Sequence, residues 1–168
     1  MKTAATLLAV LGLASAANAG GSLEALSLGT LVGGQSITGD TTGAMDNLEG
    51  TDGFVLGGTW TGGDDVYSLN WAGGDLVATL DFITDNGDID LYVWGDDGAT
   101  DLLGSSEGIT NQEVVEVLGL AAGKYWIMVD GWLGATNTYT LSVNGIPSPA
   151  SAALLGLGGL VVTRRRRA

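Results

Sequence analysis

Ile89-Asp90-Leu91-Tyr92-Val93-Trp94 alternates residue by residue, with Ile89, Leu91 and Val93 in one phase and Asp90, Tyr92 and Trp94 in the other. Successive side chains of a strand point to opposite faces, so this period of two predicts a strand with Leu91 and Val93 turned inward. Asn86-Gly87 before it and Asp96-Asp97-Gly98 after it are turn signals. The same grammar extends in both directions. Upstream, Tyr67, Leu69 and Trp71 share one phase, and Ala72-Gly73-Gly74 turns the chain into Leu76, Ala78, Leu80 and Phe82. Downstream come Val114–Leu118, then Ala121-Ala122-Gly123 before Tyr125, Ile127 and Val129, and finally Tyr139–Val143. Ser36–Thr38 and Phe54–Leu56 are weaker strand candidates. No stretch between the two ends of the chain has helical periodicity. Short strands punctuated by Gly, Asp and Asn predict an all-β fold, an antiparallel β-sandwich of roughly seven to nine strands. The expected core is Tyr67, Leu69, Leu80, Leu91, Val93, Tyr125, Ile127, Val129, Tyr139 and Leu141.

The two ends have another character. Lys2, an apolar run from Ala4 to Leu13 and the small-residue pattern Ala17-Asn18-Ala19 have the layout of a secretory signal peptide cut between Ala19 and Gly20. At the other end Pro147-Ser148-Pro149 cannot continue a ladder, because proline has no N–H to donate. A run from Ala150 to Thr163 is apolar, and Arg164, Arg165, Arg166 and Arg167 follow it. The run is shorter than the ~20 residues that cross a hydrocarbon core, so a short apolar helix would hold the membrane only with snorkelling arginines and a thinned bilayer. The chain thus divides into a signal peptide at 1–19, a sandwich domain at 20–145 and a tail at 146–168.

Composition narrows the chemistry. The chain holds 29 glycines but only two prolines, and neither Cys nor His. Without both of those ligands a zinc site is excluded in practice, and no imidazole is present to serve as a base. All 19 acids lie between Glu24 and Asp130, and Lys124 is the single basic residue among them. A surface so negative repels phosphate backbones and excludes nucleic acid as a partner.

The segment from Gly63 to Val143 resembles the bacterial pre-peptidase C-terminal domain family. The resemblance lies in Asp65–Leu69, Gly87–Val93, Ala122–Val129 and Tyr139–Val143, four blocks in order and spacing. It implies a β-sandwich of jelly-roll type, with no catalysis of its own, that accompanies exported enzymes; some relatives bind calcium or an extracellular polymer. Here no catalytic domain accompanies it. The tail resembles the PEP-CTERM sorting signal, with Ser148 where that signal usually has Glu. This implies processing by an exosortase-like enzyme and delivery to the envelope or to extracellular matrix.

Asp85, Asn86, Asp88 and Asp90 form the sharpest cluster of polar side chains. Oxygen ligands spaced around a glycine turn suit calcium, which takes six to eight of them, so this quartet is the candidate metal site. Asp64-Asp65 and Asp96-Asp97 would add ligands if the fold brought them near. Carboxylate pairs are the only catalytic option that the composition permits, and nineteen acids make chance pairs common. The aromatic residues Tyr92, Trp94 and Trp126 stand opposite the inward phase. They either lie under loops or form an exposed stripe for sugars or proteins. The expectation is therefore a non-enzymatic exported module for adhesion or ligand binding, with extracellular polysaccharide or a matrix protein as partner. The alternative is a calcium- or polysaccharide-binding accessory beside a separate secreted enzyme, and a small two-carboxylate hydrolase stands last. Intact-mass measurement of the protein recovered outside the cytoplasm should show Gly20 as the first residue. A form that retains Met1 would rule out the signal peptide.

Overall fold

The computed structural model describes residues 22–46 and 60–146. The cleavage site at Ala19 and Gly20, the strand candidate at Phe54–Leu56 and the tail from Pro147 lie outside those residues. The elements are a one-turn helix α1 (Leu23–Leu26) and the strands β1 (Ser27–Val32), β2 (Gln35–Asp40), β3 (Asp65–Trp71), β4 (Gly74–Asp81), β5 (Ile89–Trp94), β6 (Leu102–Ser106), β7 (Gln112–Leu120), β8 (Gly123–Gly131) and β9 (Thr138–Ile146). A 3-10 turn at Thr84–Asn86 leads into β5. Among the described residues no helix is long and apolar enough to cross a membrane.

Two sheets carry the chain. One has the order β1-β3-β8-β5-β6 and the other β2-β9-β4-β7. The eight strands from β2 to β9 are laid out in the order of a jelly roll, crossing between the sheets at each step except the hairpin from β5 to β6. Two features depart from the sequence expectation. β1 and β6 have no clear alternation and were not anticipated. β1 also pairs with β3 in parallel, so the sandwich is not wholly antiparallel. The cause lies in the path: β1 turns through Gly33-Gly34 into β2 on the other sheet, and the chain returns to β3 in the direction in which it left. Gly34 takes φ +86° in this turn, a conformation that a side chain would strain.

The inner faces follow the predicted phase. Leu69, Leu80, Leu91, Val93, Ile127, Val129 and Leu141 are buried between the sheets, with Tyr67 and Tyr139, while Tyr125 packs at the margin. Two acids share the inward phase, Glu113 beside Val115 on β7 and Asp65 on β3. Asp65 accepts a 2.6 Å hydrogen bond from the Tyr139 hydroxyl, which lies 2.9 Å from the hydroxyl of Tyr67. Burial raises the pKa of Asp65, and the Tyr139 bond works against that rise.

The outer face of the five-stranded sheet is also covered. Val66, Tyr92, Trp94, Trp126 and Met128 form a second apolar cluster with Leu23 and Ala99. Ser22 caps α1 by accepting from the amide of Ala25 at 3.1 Å, and Leu23 on that turn is fully buried. The aromatic residues opposite the core phase therefore form a second layer rather than an exposed stripe. Lys124 bridges to Glu24 at 2.7 Å, and the indole of Trp126 donates to the same carboxylate at 3.2 Å. Leu141→Ala should cost about 2–5 kcal/mol in chemical denaturation, because it opens a cavity in a filled core. Leu118→Ala, at a side chain 77% exposed, should stay within about 0.5 kcal/mol. Equal costs would refute the inward phase.

Candidate functional site

The register of the five-stranded sheet assembles a row of acids that the sequence holds far apart. Asp65 pairs with Val129 across β3 and β8, and Asp90 pairs with Asp130 across β5 and β8. Asp64, just before β3, thus continues the row Asp64–Asp130–Asp90. All three share the phase of Val66, Met128 and Tyr92, so the row lies on the covered outer face. Asp90 and Asp130 are each 2% exposed and Asp64 is 8% exposed.

Two tryptophans close over one end of this row. Trp60 bridges to Trp132, and their rings meet edge to face at 5.0 Å. The Trp60 indole donates to Asp90 Oδ2 at 2.5 Å, and the amide of Trp132 donates to the Asp88 carbonyl at 3.0 Å. Asp130 Oδ1 and Asp88 Oδ1 are buried and accept no hydrogen bond.

Burial dominates the electrostatics. It lifts the pKa of Asp90 to about 7, with Asp88, Glu113 and Glu107 adding to the rise and Trp60 opposing it. Burial, then the charge and hydrogen bond of Asp64, pushes Asp130 up to about 9. Two close carboxyls cannot both ionise cheaply, so the neighbouring Asp64 adds to the rise that burial gives Asp130. Asp88 is raised by burial and then by Glu113, whose own carboxylate accepts from Ser106 on β6.

The quartet expected to hold calcium is dispersed by this arrangement. Asp85 and Asn86 are exposed on the 3-10 turn, Asp88 is half-buried, and Asp90 lies beneath Trp60. Among the described residues no three carboxylates converge as a metal site requires. Of the two pairs considered as additional ligands, Asp64 joins the row beside Asp130, and the other three acids are committed elsewhere. Asp65 faces the core. Asp96 caps its own turn by accepting from the amides of Thr100 and Asp101 at 2.8 Å each, and Asp97 accepts from the Glu24 amide at 2.6 Å. Asp130 was missed, although Trp126, Met128 and Asp130 have a common phase that places it beside Asp90.

Two described clefts of about 550 Å³ lie away from the row. One is lined by Thr38, Asp81, Phe82, Ile83, Tyr139 and Thr140, among others. The other is lined by Val32, Gly33, Gly34, Asn70, Trp71, Ala72, Gly73, Asn144 and Gly145. Neither contains a pair of acids.

No protein-family model matches the chain, and no curated protein matches it. Among solved structures, the pre-peptidase C-terminal domain of collagenase from Bacillus anthracis is similar at a TM-score of 0.49 and 17% identity, over 70% of this chain and 96% of that one. PliG of Aeromonas hydrophila, a periplasmic inhibitor of g-type lysozyme, is similar at a TM-score of 0.41 and 16% identity, over the same shares of the two chains.

The row makes stability depend on pH in an unusual direction. Where a carboxyl pKa is higher folded than unfolded, the folded state binds more protons and stability falls as pH rises. The loss should begin near the unfolded value of about 3.9 and run through about 7 for Asp90 and about 9 for Asp130. Glu24, Asp40 and Asp96 are shifted downward, chiefly by hydrogen bonds, so they oppose this only as pH falls below their unfolded values. Thermal midpoints should therefore decline from about pH 5 to pH 9. Asp130→Asn should flatten the decline above neutrality. A midpoint that climbs across this range would refute the proton-holding row.

Proposed function

We propose that the chain is a non-catalytic binding module, exported by its N-terminal segment and held at or released from the cell envelope through its tail. The observation that carries the reading is how the fold places its acids. Asp90 sits under Trp60 and Asp65 between the sheets, while the two clefts among the described residues lack an acid pair. Glycoside hydrolysis needs two carboxylates about 5–9.5 Å apart across an open site. Asp90 has the pKa of a general acid, but no described cleft reaches it. A serine nucleophile has no imidazole to take its proton, since the chain contains no His.

The expected pattern of charge supports a module that works outside the cell. Nineteen acids against one lysine between Glu24 and Asp130 keep the domain soluble and apart from nucleic acid. The tail at 146–168, with Pro147-Ser148-Pro149 and Arg164–Arg167, is the sorting element in this reading, and an exosortase-like enzyme is its processing partner. The positive block would stay on the cytoplasmic side during export.

Two measurements test the reading together. The purified chain should bind saturably to envelope or matrix material from the producing cells, and it should not turn over aryl glycosides, esters or peptides. Glycoside turnover that falls a hundredfold in Asp90→Asn would replace the module with the hydrolase.

A further inference from the structure

The outer face of the four-stranded sheet is open where that of the five-stranded sheet is covered: Ser36, Thr38, Thr138, Val114 and Glu116 are all exposed. The register sets four polar side chains of this face in one row. Thr38 pairs with Thr140 across β2 and β9, Thr140 with Asp81 across β9 and β4, and Asp81 with Gln112 across β4 and β7. Directly paired residues share a face, and Thr138, two residues before Thr140, shares it too. The Gln112 amide donates to Asp81 Oδ1 at 2.6 Å and orients the carboxylate. Thr38, Thr138, Thr140 and Asp81 line the first cleft, of about 550 Å³, together with Ile83, which is 56% exposed. Asp81 is the one charged residue of that lining. Asp40 lies in the next row, opposite Thr138, and its carboxylate is tied to its own turn by the Thr42 amide at 2.8 Å.

We propose that this cleft binds an arginine side chain presented by a basic protein, with Asp81 as the anion and Thr38 and Thr140 as the flanking hydroxyls. The proposal rests on the binding-module reading and names the chemistry of its partner. A guanidinium carries five N–H donors in a planar fork. Neighbouring strands lie about 4.8 Å apart, so one fork meets the carboxylate on β4 and the hydroxyl beside it on β9. An ammonium is a compact point charge and meets fewer of these groups. The arginine stem is apolar and packs along Ile83 and the threonine methyls. That contact separates a protein from a cationic glycan, whose amines sit on the ring without a stem. Charge favours the encounter. The surplus of acids attracts a basic surface from a distance, and Lys124, the one basic residue among the described residues, lies on the other sheet.

The test is titration calorimetry of the purified chain with hexa-arginine, hexalysine and a glucosamine hexamer at physiological salt, where exposed charges act over only about 8 Å. Hexa-arginine should bind saturably and more tightly than the other two. Asp81→Asn should weaken it about tenfold, the loss expected for hydrogen bonds to a charged group. Glu116→Gln removes the same charge from the same face, away from the cleft, and should weaken it less than about twofold. Thr38→Val/Thr140→Val keeps every charge and should still weaken it. A chain that does not bind hexa-arginine overturns the proposal. So do equal losses in Asp81→Asn and Glu116→Gln, which reduce the effect to net charge, and so does tighter binding of the glucosamine hexamer. In each of these cases saturable binding to envelope material leaves the module standing with another site, whereas its absence removes the module itself.

Discussion

The five-stranded sheet is buried on both faces along β5 and most of β8, and the remaining features of its outer side follow from that. Every residue of β5 is buried, as are Trp126 to Gly131 on β8. A single-sheet cover would have left Asp90 and Asp130 in water as ordinary solvated acids. Trp60, which donates to Asp90 and packs on Trp132, closes that end of the face, and Leu23 seats against Val66, Tyr92, Trp94, Trp126 and Met128 along the rest of it. Burying several large apolar groups contributes about 1.5–3 kcal/mol each, enough to hold a helix of one turn that could not form alone. The ion pair of Lys124 with Glu24, its side chains 42% and 46% exposed, orients this cover and adds little to its strength.

The same cover sets the chemistry of the acids. A buried carboxylate is costly in a low dielectric even where it accepts a hydrogen bond, as Asp90 does from Trp60, and proton uptake relieves that cost. Burial in the row across β3, β8 and β5 therefore raises the pKa values of Asp90 and Asp130. The interior pair of Asp65 and Tyr139 solves a related problem by another route, with a hydroxyl donated to the carboxylate. One chain thus carries two solutions to buried charge, one on each side of a single sheet.

The inner face was legible because its phase is unbroken: Leu91 with Val93, Ile127 with Val129, Tyr139 with Leu141. β1 was hidden, since only Leu31 is buried in Ser27–Val32. β6 was hidden because Gly104 packs its missing side chain against Val115, leaving no apolar alternation. The state of Asp90 was illegible for another reason. Alternation assigns a residue to a face and says nothing of whether that face is covered. The cover over Asp90 comes from Trp60 and Trp132, at positions that no local period connects to β5. Asp88 and Asp90 share a face as the spacing implied, but Asp85 and Asn86 follow the 3-10 turn outward.

The two ends of β3 now have contrasting surroundings. Its seven residues span about 20 Å at strand rise, from Asp65 beside the proton-holding row to Trp71 beside the neutral cleft. Acids are gathered and sealed at one end. At the other, glycines and asparagines leave an opening free of charge. Among the described residues Glu24, Asp40, Asp46, Asp81, Asp85, Asp101, Glu107 and Glu116 are exposed, where water screens them. The strand thus separates the buried carboxyls whose pKa values are raised from a cleft whose lining carries no charge.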